Sequence, residues 1–411
     1  MYPDDQSRKY NVKNMSIQEW MDSEPMRQAR SKMFGDNRIS FCKRCYWEED
    51  HGTNSKRLRG NHKSVIFTKL NFQESYSQSP GHRKFEHSRN NDGQYSGMPI
   101  DVHIDLGNYC NLQCKMCSPQ ASSSIAGQYM KWNINDASKY LGTDWTRDQG
   151  TWERICDELA GIKELHNIHF MGGETLITKR FEDFVDFMLA RGRTDLNFSF
   201  VTNGTVYNRS LLEKLKRFNR VGIEVSVETM TPHNAYQRQG TNMNQLMDNL
   251  KAYTEFCDGR RITLTIRPSI SLLSIGNFPS LLEYCLINRL VVKSLMVYNP
   301  GYMDARILPK SVKQLYSARY DELESKYGLE SVDASSEYNS SDPNQINFII
   351  KNHIDQCRQW LRSSRPADSD SKLAELVSWC RRWDNVHGYD ALPLFPELTD
   401  IFIDNGYKER S

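Results

Sequence analysis

The chain has 411 residues and a formal net charge of +2, so no strong overall charge draws it to nucleic acid or to an anionic membrane. Apolar residues make up 38% of the composition and charged residues 25%, which is typical of a globular protein and excludes disorder throughout. No apolar run approaches the roughly 18 residues of a membrane span, and no basic-then-apolar leader opens the sequence. We therefore expect a cytoplasmic protein, with more than one domain because single cores stop growing at about 250 to 300 residues.

The first 99 residues predict a polar N-terminal extension with one helix. Ser16 and Glu19 have the spacing of a capping box at the start of that helix, which runs towards Met33. Pro25 lies inside the helical pattern, where proline removes a hydrogen-bond donor. We expect a break or a kink at this proline.

A C-x2-C pair, Cys42 and Cys45, follows the predicted helix. Two thiols do not complete a structural metal site, so the pair needs further ligands, acts as a redox pair, or belongs to a core. A basic segment comes next, at residues 55–63. Solvated surface is favoured over nucleic-acid binding for this segment, because no aromatic residues are interleaved with its charges. Residues 73–98 are rich in small polar residues and predict a linker.

From residue 100 to residue 300, apolar strands alternate with amphipathic helices, which predicts βα units and a parallel sheet. The predicted strands span residues 100–106, 168–171, 197–202, 222–228, 261–269 and 291–298, and the predicted helices include 179–190 and 210–218. Residues 133–150 form a polar insertion. Residues 301–411 predict a mainly helical C-terminal region with a polar break at 335–342. Six such repeats can form an open or closed barrel whose strand ends meet on one face.

Three cysteines stand close together directly after the first predicted strand. Cys110, Cys114 and Cys117 have a C-x3-C-x2-C spacing. A structural zinc site takes four ligands, whereas a cubane iron–sulfur cluster held by three thiolates keeps one iron open for another molecule. The open cluster is the favoured interpretation. Zinc completed by a distant residue and inert packing are the alternatives.

The stretch Cys110-Asn-Leu-Gln-Cys114-Lys-Met-Cys117 resembles the cluster loop of the radical S-adenosylmethionine (SAM) superfamily, with Met116 at its hydrophobic position. The resemblance implies a six-stranded partial (β/α)6 barrel and an oxygen-sensitive [4Fe–4S] cluster whose open iron chelates SAM. It also implies reductive cleavage of SAM to methionine and a 5′-deoxyadenosyl radical. An electron donor such as a flavodoxin or a ferredoxin would then be a partner.

Gly172, Gly173 and Glu174 end the second predicted strand and match the superfamily's GGE element. Glycines let a ligand approach the backbone, and the glutamate can accept hydrogen bonds from an ammonium group. The resemblance assigns Glu174 to the amino group of SAM and Met116 to its adenine. A plain turn after the strand is the alternative for the glycines, and simple packing is the alternative for Met116.

Short polar side chains end the third and fourth predicted strands. By position, the resemblance assigns them to the ribose and the methionine moiety of SAM: Thr202, Asn203, Ser226 and Glu228. An ordinary turn, with Asn203 or Gly204 at positive φ, is the alternative for the Thr-Asn-Gly stretch.

Arg267 stands in a run of residues that otherwise predicts a buried strand. A buried charge must be paired, and the carboxylate of SAM is a suitable partner. A salt bridge to Glu224 or Glu228 on a neighbouring strand is the alternative.

Cys42 and Cys45 are similar to the cysteine-rich SPASM and twitch appendages of some superfamily members, although those appendages normally follow the barrel. Together with Cys357 and Cys380 they would supply four thiolates for an auxiliary cluster or a zinc site. Such an appendage favours a peptide or protein substrate, while nucleotides, sugars and small molecules remain open. The rival hypothesis is a non-catalytic zinc-binding module that contacts nucleic acid.

Overall fold

The computed structural model describes residues 11–34, 37–50, 55, 80–95, 97–134, 137–141, 144–332 and 345–408. The chain divides into two compact units, one formed by Met1–Val102 with Trp145–His166 and the other by His103–Asp144 with Asn167–Ser411. The division after Val102 lies close to the predicted boundary at residue 100. The region predicted to follow the barrel, residues 301–411, belongs to the same unit as the sheet.

The strands in the described residues are β1 (Asp101–Asp105), β2 (Gln113–Cys114), β3 (Asn167–Met171), β4 (Asn197–Thr202), β5 (Arg220–Val225), β6 (Arg238–Gln239), β7 (Ile262–Ile266), β8 (Ser269–Ile270), β9 (Val291–Val292) and β10 (Leu295–Met296). The helices are α1 (Ile17–Met21), α2 (Glu24–Phe34), α3 (Lys43–Asp50), α4 (Pro80–Asn90), α5 (Ser123–Lys131), α6 (Gln149–Gly161), α7 (Lys179–Ala190), α8 (Arg209–Leu215), α9 (His233–Gln237), α10 (Met243–Phe256), α11 (Phe278–Ile287), α12 (Lys310–Lys326), α13 (Gln345–Arg362), α14 (Ser369–His387) and α15 (Thr399–Asp404).

The N-terminal unit begins with the predicted capping box. The Ser16 hydroxyl accepts a hydrogen bond from the Glu19 N–H at 3.1 Å, and the Glu19 carboxylate accepts one from the Ser16 N–H at 2.7 Å. Pro25 lies in the first turn of α2, where a helix does not use that N–H. It therefore starts a second helix: the helical pattern is broken between Met21 and Glu24, which is the break predicted near this proline and not the kink.

The C-x2-C pair is helical and does not form a loop. Cys42 ends a 3₁₀ turn (Ser40–Cys42), and Cys45 lies in the first turn of α3. The predicted linker is also partly helical, since α4 covers residues 80–90. Apart from Ser55, the basic segment of residues 55–63 lies outside the described residues, as does the predicted polar break at 335–342.

The sheet of the second unit has six strands in the order β1-β3-β4-β5-β7-β9, and the four neighbouring pairs from β3 to β9 are parallel. The predicted α/β fold with a six-stranded parallel sheet and a helical C-terminal region is confirmed. Two predicted strands are each divided: residues 261–269 give β7 and the start of β8, and residues 291–298 give β9 and β10. β8 and β10 pair with each other in a separate ribbon.

The two faces of this sheet differ in polarity. One face is apolar and buried, with Phe170 and Phe198 stacked at 5.9 Å between ring centroids and Phe181 of α7 packed on Phe170 at 5.0 Å. The other face carries a row of residues in register across four strands, namely His169, Ser199, Gly222 and Thr263, all of them half-buried. Parallel sheets are normally covered by apolar residues on both faces, so the polar face is available to line a binding site.

Within the described part of the chain, no helix combines the length and the apolar character that crossing a bilayer requires.

Candidate metal centre

The three cysteines lie on the loop between β1 and α5, and a short ribbon fixes its middle. Gln113 and Cys114 form β2, which pairs antiparallel with β6, so that Cys114 stands opposite Arg238. The Lys115 N–H then donates to the Gln237 carbonyl at 2.8 Å. The loop is therefore held by main-chain bonds to a segment more than 120 residues further along the chain.

The start of α5 holds the loop from its other side. The hydroxyl of Ser122 donates to the Leu112 carbonyl at 3.0 Å, and the hydroxyl of Ser124 donates to the Cys110 carbonyl at 2.6 Å. Ser122 also caps the helix by accepting from the Ile125 N–H. Serine side chains thus satisfy loop carbonyls that would otherwise need water.

The thiols of Cys110 and Cys117 are half-buried, and Cys114 is buried. Burial raises the pKa of Cys110 to about 11 and raises the pKa values of Cys114 and Cys117 as well. The thiols are close enough to one another that charge on Cys110 or Cys117 raises the pKa of Cys114 further. Such thiols are protonated when bare, and they ionise when cations are supplied to balance the thiolates.

Among the described residues, Arg238 is the one buried cation whose charge lowers the pKa of all three thiols. Its Nη1 lies 3.8 Å from the sulfur of Cys114, and its Nη2 donates to Glu228 at 2.6 Å, while its Nε donates to the second carboxylate oxygen of Glu228. Glu228 is fully buried in this pair. The structure therefore uses Glu228 to hold Arg238 against the cysteine loop, a role that differs from the predicted contact with SAM.

The donor set fits a cubane cluster. Among the described residues, no group of three or more His, Cys, Asp or Glu side chains is arranged to hold a single metal ion. In a cubane each thiolate binds a different iron, so cluster ligands stand further apart than the ligands of one ion. Three neighbouring thiols with one buried cation suit an anionic cluster with one open iron, whereas a closed zinc site takes four ligands.

Gly172 and Gly173 bring the end of β3 against the same loop. Both have positive φ, at 97° and 51°. A Cβ on Gly172 would lie 1.9 Å from Asp105 Oδ1, and one on Gly173 would lie 2.1 Å from the Tyr109 carbonyl oxygen. The glycines were expected to admit a ligand. In the structure, the space that they leave is filled by the cysteine loop itself.

Glu174 follows these glycines, and the chain surrounds its carboxylate with donors. Oε1 accepts from the Leu176 N–H at 3.0 Å and from the Thr202 hydroxyl at 2.7 Å, and Oε2 accepts from the Asn203 N–H at 2.6 Å. Burial nonetheless raises the pKa of Glu174. A carboxylate has about four acceptor sites, so three internal donors leave about one for an ammonium group.

The Thr-Asn-Gly turn reaches the cysteine loop through Asn203. Its side-chain amide donates to Asn111 Oδ1 at 2.8 Å, and Asn111 in turn donates to the Thr205 hydroxyl at 2.9 Å. Gly204 has a φ of 77°, as the alternative of an ordinary turn predicts for this stretch. The structure therefore brings together three of the residues that were predicted from separate motifs, Glu174, Thr202 and Asn203.

Two other predicted residues are half-buried near this centre, and a third has a protein partner. Met116 lies between the second and third cysteines, and the Ser226 N–H donates to the Thr202 carbonyl at 2.9 Å. Arg267 forms an ion pair with Glu224 on β5. The alternative of a salt bridge across neighbouring strands is thus the one that the structure contains.

The four cysteines of the predicted second site have different surroundings. Cys42 and Cys45 are half-buried in the N-terminal unit. Cys357 in α13 and Cys380 in α14 lie in the core of the other unit, at 0% and 1% exposure, and each has a tyrosine hydroxyl as hydrogen-bond partner. Burial of the last two thiols gives the second site no support from the structure.

Sequence reasoning missed Arg238, Asn111 and Lys115. For Arg238 a signal existed, since it is the only Asp, Glu, Lys or Arg residue between Glu228 and Asp248. One charge in a stretch that is otherwise uncharged indicates a specific partner. No pattern in the sequence distinguished the other two.

Comparison with known proteins gives one family match. Residues 104–267 match the family model described as the Radical SAM superfamily. The matched segment contains the cysteine loop, the glycine turn, the Thr-Asn-Gly turn and the Arg238–Glu228 pair, and it ends at Arg267.

Curated relatives are distant. A PqqA peptide cyclase of Bradyrhizobium diazoefficiens is 22% identical over 223 residues, which cover 53% of this chain and 52% of that protein. A radical SAM cyclopropyl synthase, TigE, of Paramaledivibacter caminithermalis is 26% identical over 189 residues, covering 43% of this chain and 36% of that protein. The chain thus spans about half the length, or less, of these relatives.

Among solved structures, Streptococcus suis SuiB bound to the precursor peptide SuiA aligns with a TM-score of 0.38 and 16% identity, covering 69% of this chain and 65% of that one. The structure of anSMEcpe with bound AdoMet aligns with a TM-score of 0.40 and 15% identity, covering 56% of this chain and 62% of that one.

Proposed function

We propose that the chain, whose residues 104–267 match the Radical SAM superfamily model, is an enzyme that cleaves SAM reductively at a cluster held by Cys110, Cys114 and Cys117. The observation that carries the proposal is the group of three neighbouring thiols with Arg238 against one of them. When bound, a [4Fe–4S] cluster supplies the electron that splits SAM into methionine and a 5′-deoxyadenosyl radical. A one-electron donor such as a flavodoxin or a ferredoxin would be the partner.

The residues of the chain then have separate tasks. The three cysteines supply thiolates, and Arg238 offsets part of their charge. Glu174, with about one acceptor site left, would take the amino group of SAM, and the neighbouring Thr202 and Asn203 would keep that carboxylate in place. The polar face of the sheet, which includes His169 and Ser199 at 2.7 Å from each other, would receive the substrate.

The deciding experiment is a reductant-dependent assay for 5′-deoxyadenosine on protein reconstituted with iron and sulfide under anaerobic conditions. The triple variant Cys110→Ala/Cys114→Ala/Cys117→Ala should lose about one cubane of iron and all 5′-deoxyadenosine. Cys285→Ala is the matched control, because that thiol is buried in α11 and should leave both quantities unchanged. A triple variant that retains iron and cleavage would overturn the proposal.

We propose a peptide or protein as the substrate that donates hydrogen. Support comes from the name of a curated relative, a peptide cyclase. The enzyme would be incubated with pools of deuterated peptides, free amino acids or nucleotides, and deuterium in 5′-deoxyadenosine would be measured by mass spectrometry. Transfer from the peptide pool alone is expected, whereas transfer only from amino acids or nucleotides would contradict the assignment.

A further inference from the structure

Lys115 stands between two cluster cysteines in the sequence, yet its charge lies in the protein core. Its ammonium group is 3.0 Å from Asp384 Oδ1 in α14, and both side chains are 1% exposed. Burying two charges costs desolvation free energy that can exceed the attraction between them. A buried ion pair is therefore weak evidence for a role in stability alone. Another role must be considered for this pair.

The carboxylate of Asp384 is fully engaged. Its second oxygen accepts from the hydroxyl of Tyr236 at 2.9 Å and from the hydroxyl of Tyr407 at 2.7 Å. The Tyr407 oxygen in turn accepts from the Ala391 N–H at 2.8 Å. Lys115 Nζ lies 4.1 Å from the centre of the Tyr236 ring, close enough for a cation–π contact. The pair thus has one geometry, fixed by three segments of the chain.

Side chain and backbone of Lys115 are held by adjacent residues. Tyr236 contacts the ammonium group, while the carbonyl of Gln237 accepts from the Lys115 N–H at 2.8 Å. The next residue, Arg238, stands opposite Cys114 in the β2–β6 ribbon. A change at Asp384 would therefore be transmitted to the part of the loop that carries Cys114.

We propose that Lys115 and Asp384 are positioning residues of the cluster loop, through which the C-terminal helix α14 holds Cys114 in place and cancels the charge of Lys115. The inference rests on the proposed function. A buried cation beside an anionic cluster favours the reduced state, which carries one more negative charge. With Asp384 present, Lys115 adds almost no net charge.

Opposite changes of the pair should therefore shift the cluster potential in opposite directions. Asp384→Asn leaves the cation uncompensated and should move the midpoint potential to more positive values. Lys115→Met leaves the carboxylate and should move it to more negative values. A role confined to packing would produce no such difference in sign.

The measurements are the midpoint potential and the rate at which a chelator removes iron from the reconstituted full-length chain. Groups that orient metal ligands typically change metal affinity by about 10- to 100-fold when they are removed, so Asp384→Asn should lose iron at least roughly tenfold faster. Asp370→Asn is the control, because Asp370 lies in the same helix and pairs with Arg365 at 89% exposure. This control should match the wild type.

The double variant Lys115→Met/Asp384→Asn addresses simple misfolding, because it removes both buried charges and keeps a side-chain oxygen that can accept from the hydroxyls of Tyr236 and Tyr407. It should keep the wild-type potential and still lose iron faster. Shifts of the same sign in the single variants, or iron loss at the wild-type rate in all of them, would overturn the inference alone. A wild-type chain that binds no iron would overturn the proposed function together with it.

Discussion

The side-chain amide of Asn203 donates a hydrogen bond to the side-chain oxygen of Asn111 at 2.8 Å. The first residue belongs to the turn predicted to bind SAM, and the second belongs to the cysteine loop. The two predicted halves of the site are therefore in direct contact through a pair of amides. Because Asn111 is exposed and Asn203 is buried, each can be replaced separately.

We expect Asn111→Ala and Asn203→Ala each to weaken SAM binding, because each removes the contact that aligns the turn with the loop. The double variant should lose less SAM-binding free energy than the sum of the losses in the two single variants, with a coupling energy of about 0.5 to 3 kcal/mol. Isothermal calorimetry on reconstituted protein gives the four affinities. Strict additivity would show that the two residues act independently.

Gly173→Ala should destabilise the protein more than Gly192→Ala. Both glycines have positive φ, where an L-residue costs roughly 1 to 2 kcal/mol. Only Gly173 has backbone in the path of the new Cβ, at 2.1 Å, whereas nothing lies within 4 Å of a Cβ on Gly192. Denaturant unfolding gives the loss of unfolding free energy in each variant, and the difference between the two losses is the cost of the close approach. Equal losses would contradict the prediction.

Glu174→Gln should weaken SAM binding and also destabilise the site itself. Both oxygens of Glu174 accept hydrogen bonds from the chain, so either orientation of a glutamine amide places its NH2 against a donor. Leaving a buried polar group without a partner costs about 1 to 3 kcal/mol. Thr202→Val, which removes one donor and keeps the carboxylate, is the comparison. Weaker SAM binding in Glu174→Gln alone would point to the carboxylate as the direct ligand.

Ionisation of Glu174 should make stability depend on pH. Burial raises its pKa above 4.5 in the folded state. Its contribution to stability is therefore fully present below pH 4.5 and is lost as the pH rises through the folded-state pKa. The free energy of unfolding of the wild type, minus that of Glu174→Gln, should fall over that interval. If this difference in unfolding free energy rose with pH instead, the pKa of Glu174 would be lowered in the folded state, contrary to the prediction.

Arg238→Met should destabilise the chain by roughly 3 to 5 kcal/mol, because it leaves Glu228 buried and uncompensated. Arg238→Met/Glu228→Leu should recover most of that loss in denaturant unfolding. Arg209→Met serves as the control, since its side chain is 80% exposed and its ion pair spans 4.0 Å. A loss no larger than that of the control would mean that the pair is not needed for the fold.

Cys357→Ala and Cys380→Ala should each cost about 1 kcal/mol of stability and leave the iron content unchanged, because both thiols are in the core. Cys42→Ala/Cys45→Ala tests the other half of the predicted second site. Loss of a second cluster's share of iron would revive that site with other ligands, and loss of zinc with reduced stability would identify a structural zinc. Iron and zinc analysis of all the variants, together with denaturant unfolding, separates these outcomes.

The region matched by the family model was predictable because its patterns are local. Strand β4 and helix α7 have the predicted bounds, and Glu174, Thr202 and Asn203 meet because parallel strands end on one face. The polar helices α3 and α4 were missed, since short helices without apolar periodicity depend on packing that the sequence does not display.

The partners of buried charges were the least predictable part. Glu228 was assigned to a ligand, and Lys115 was not singled out, because a partner 10 or 269 residues away leaves no spacing rule in the sequence. Each such pair depends on the completed tertiary structure. Sequence patterns could indicate that a charge must be paired, but they could not identify its partner.

The separation of Lys115 from Asp384 also sets an order of events during synthesis. Ribosomes add about 5 to 20 residues per second, so the 269 residues between the two take roughly 15 to 50 s to be made. Throughout that interval the three cysteines exist in a nascent chain without the helix that backs their loop. Insertion of the proposed cluster into a finished loop therefore has to follow the synthesis of α14.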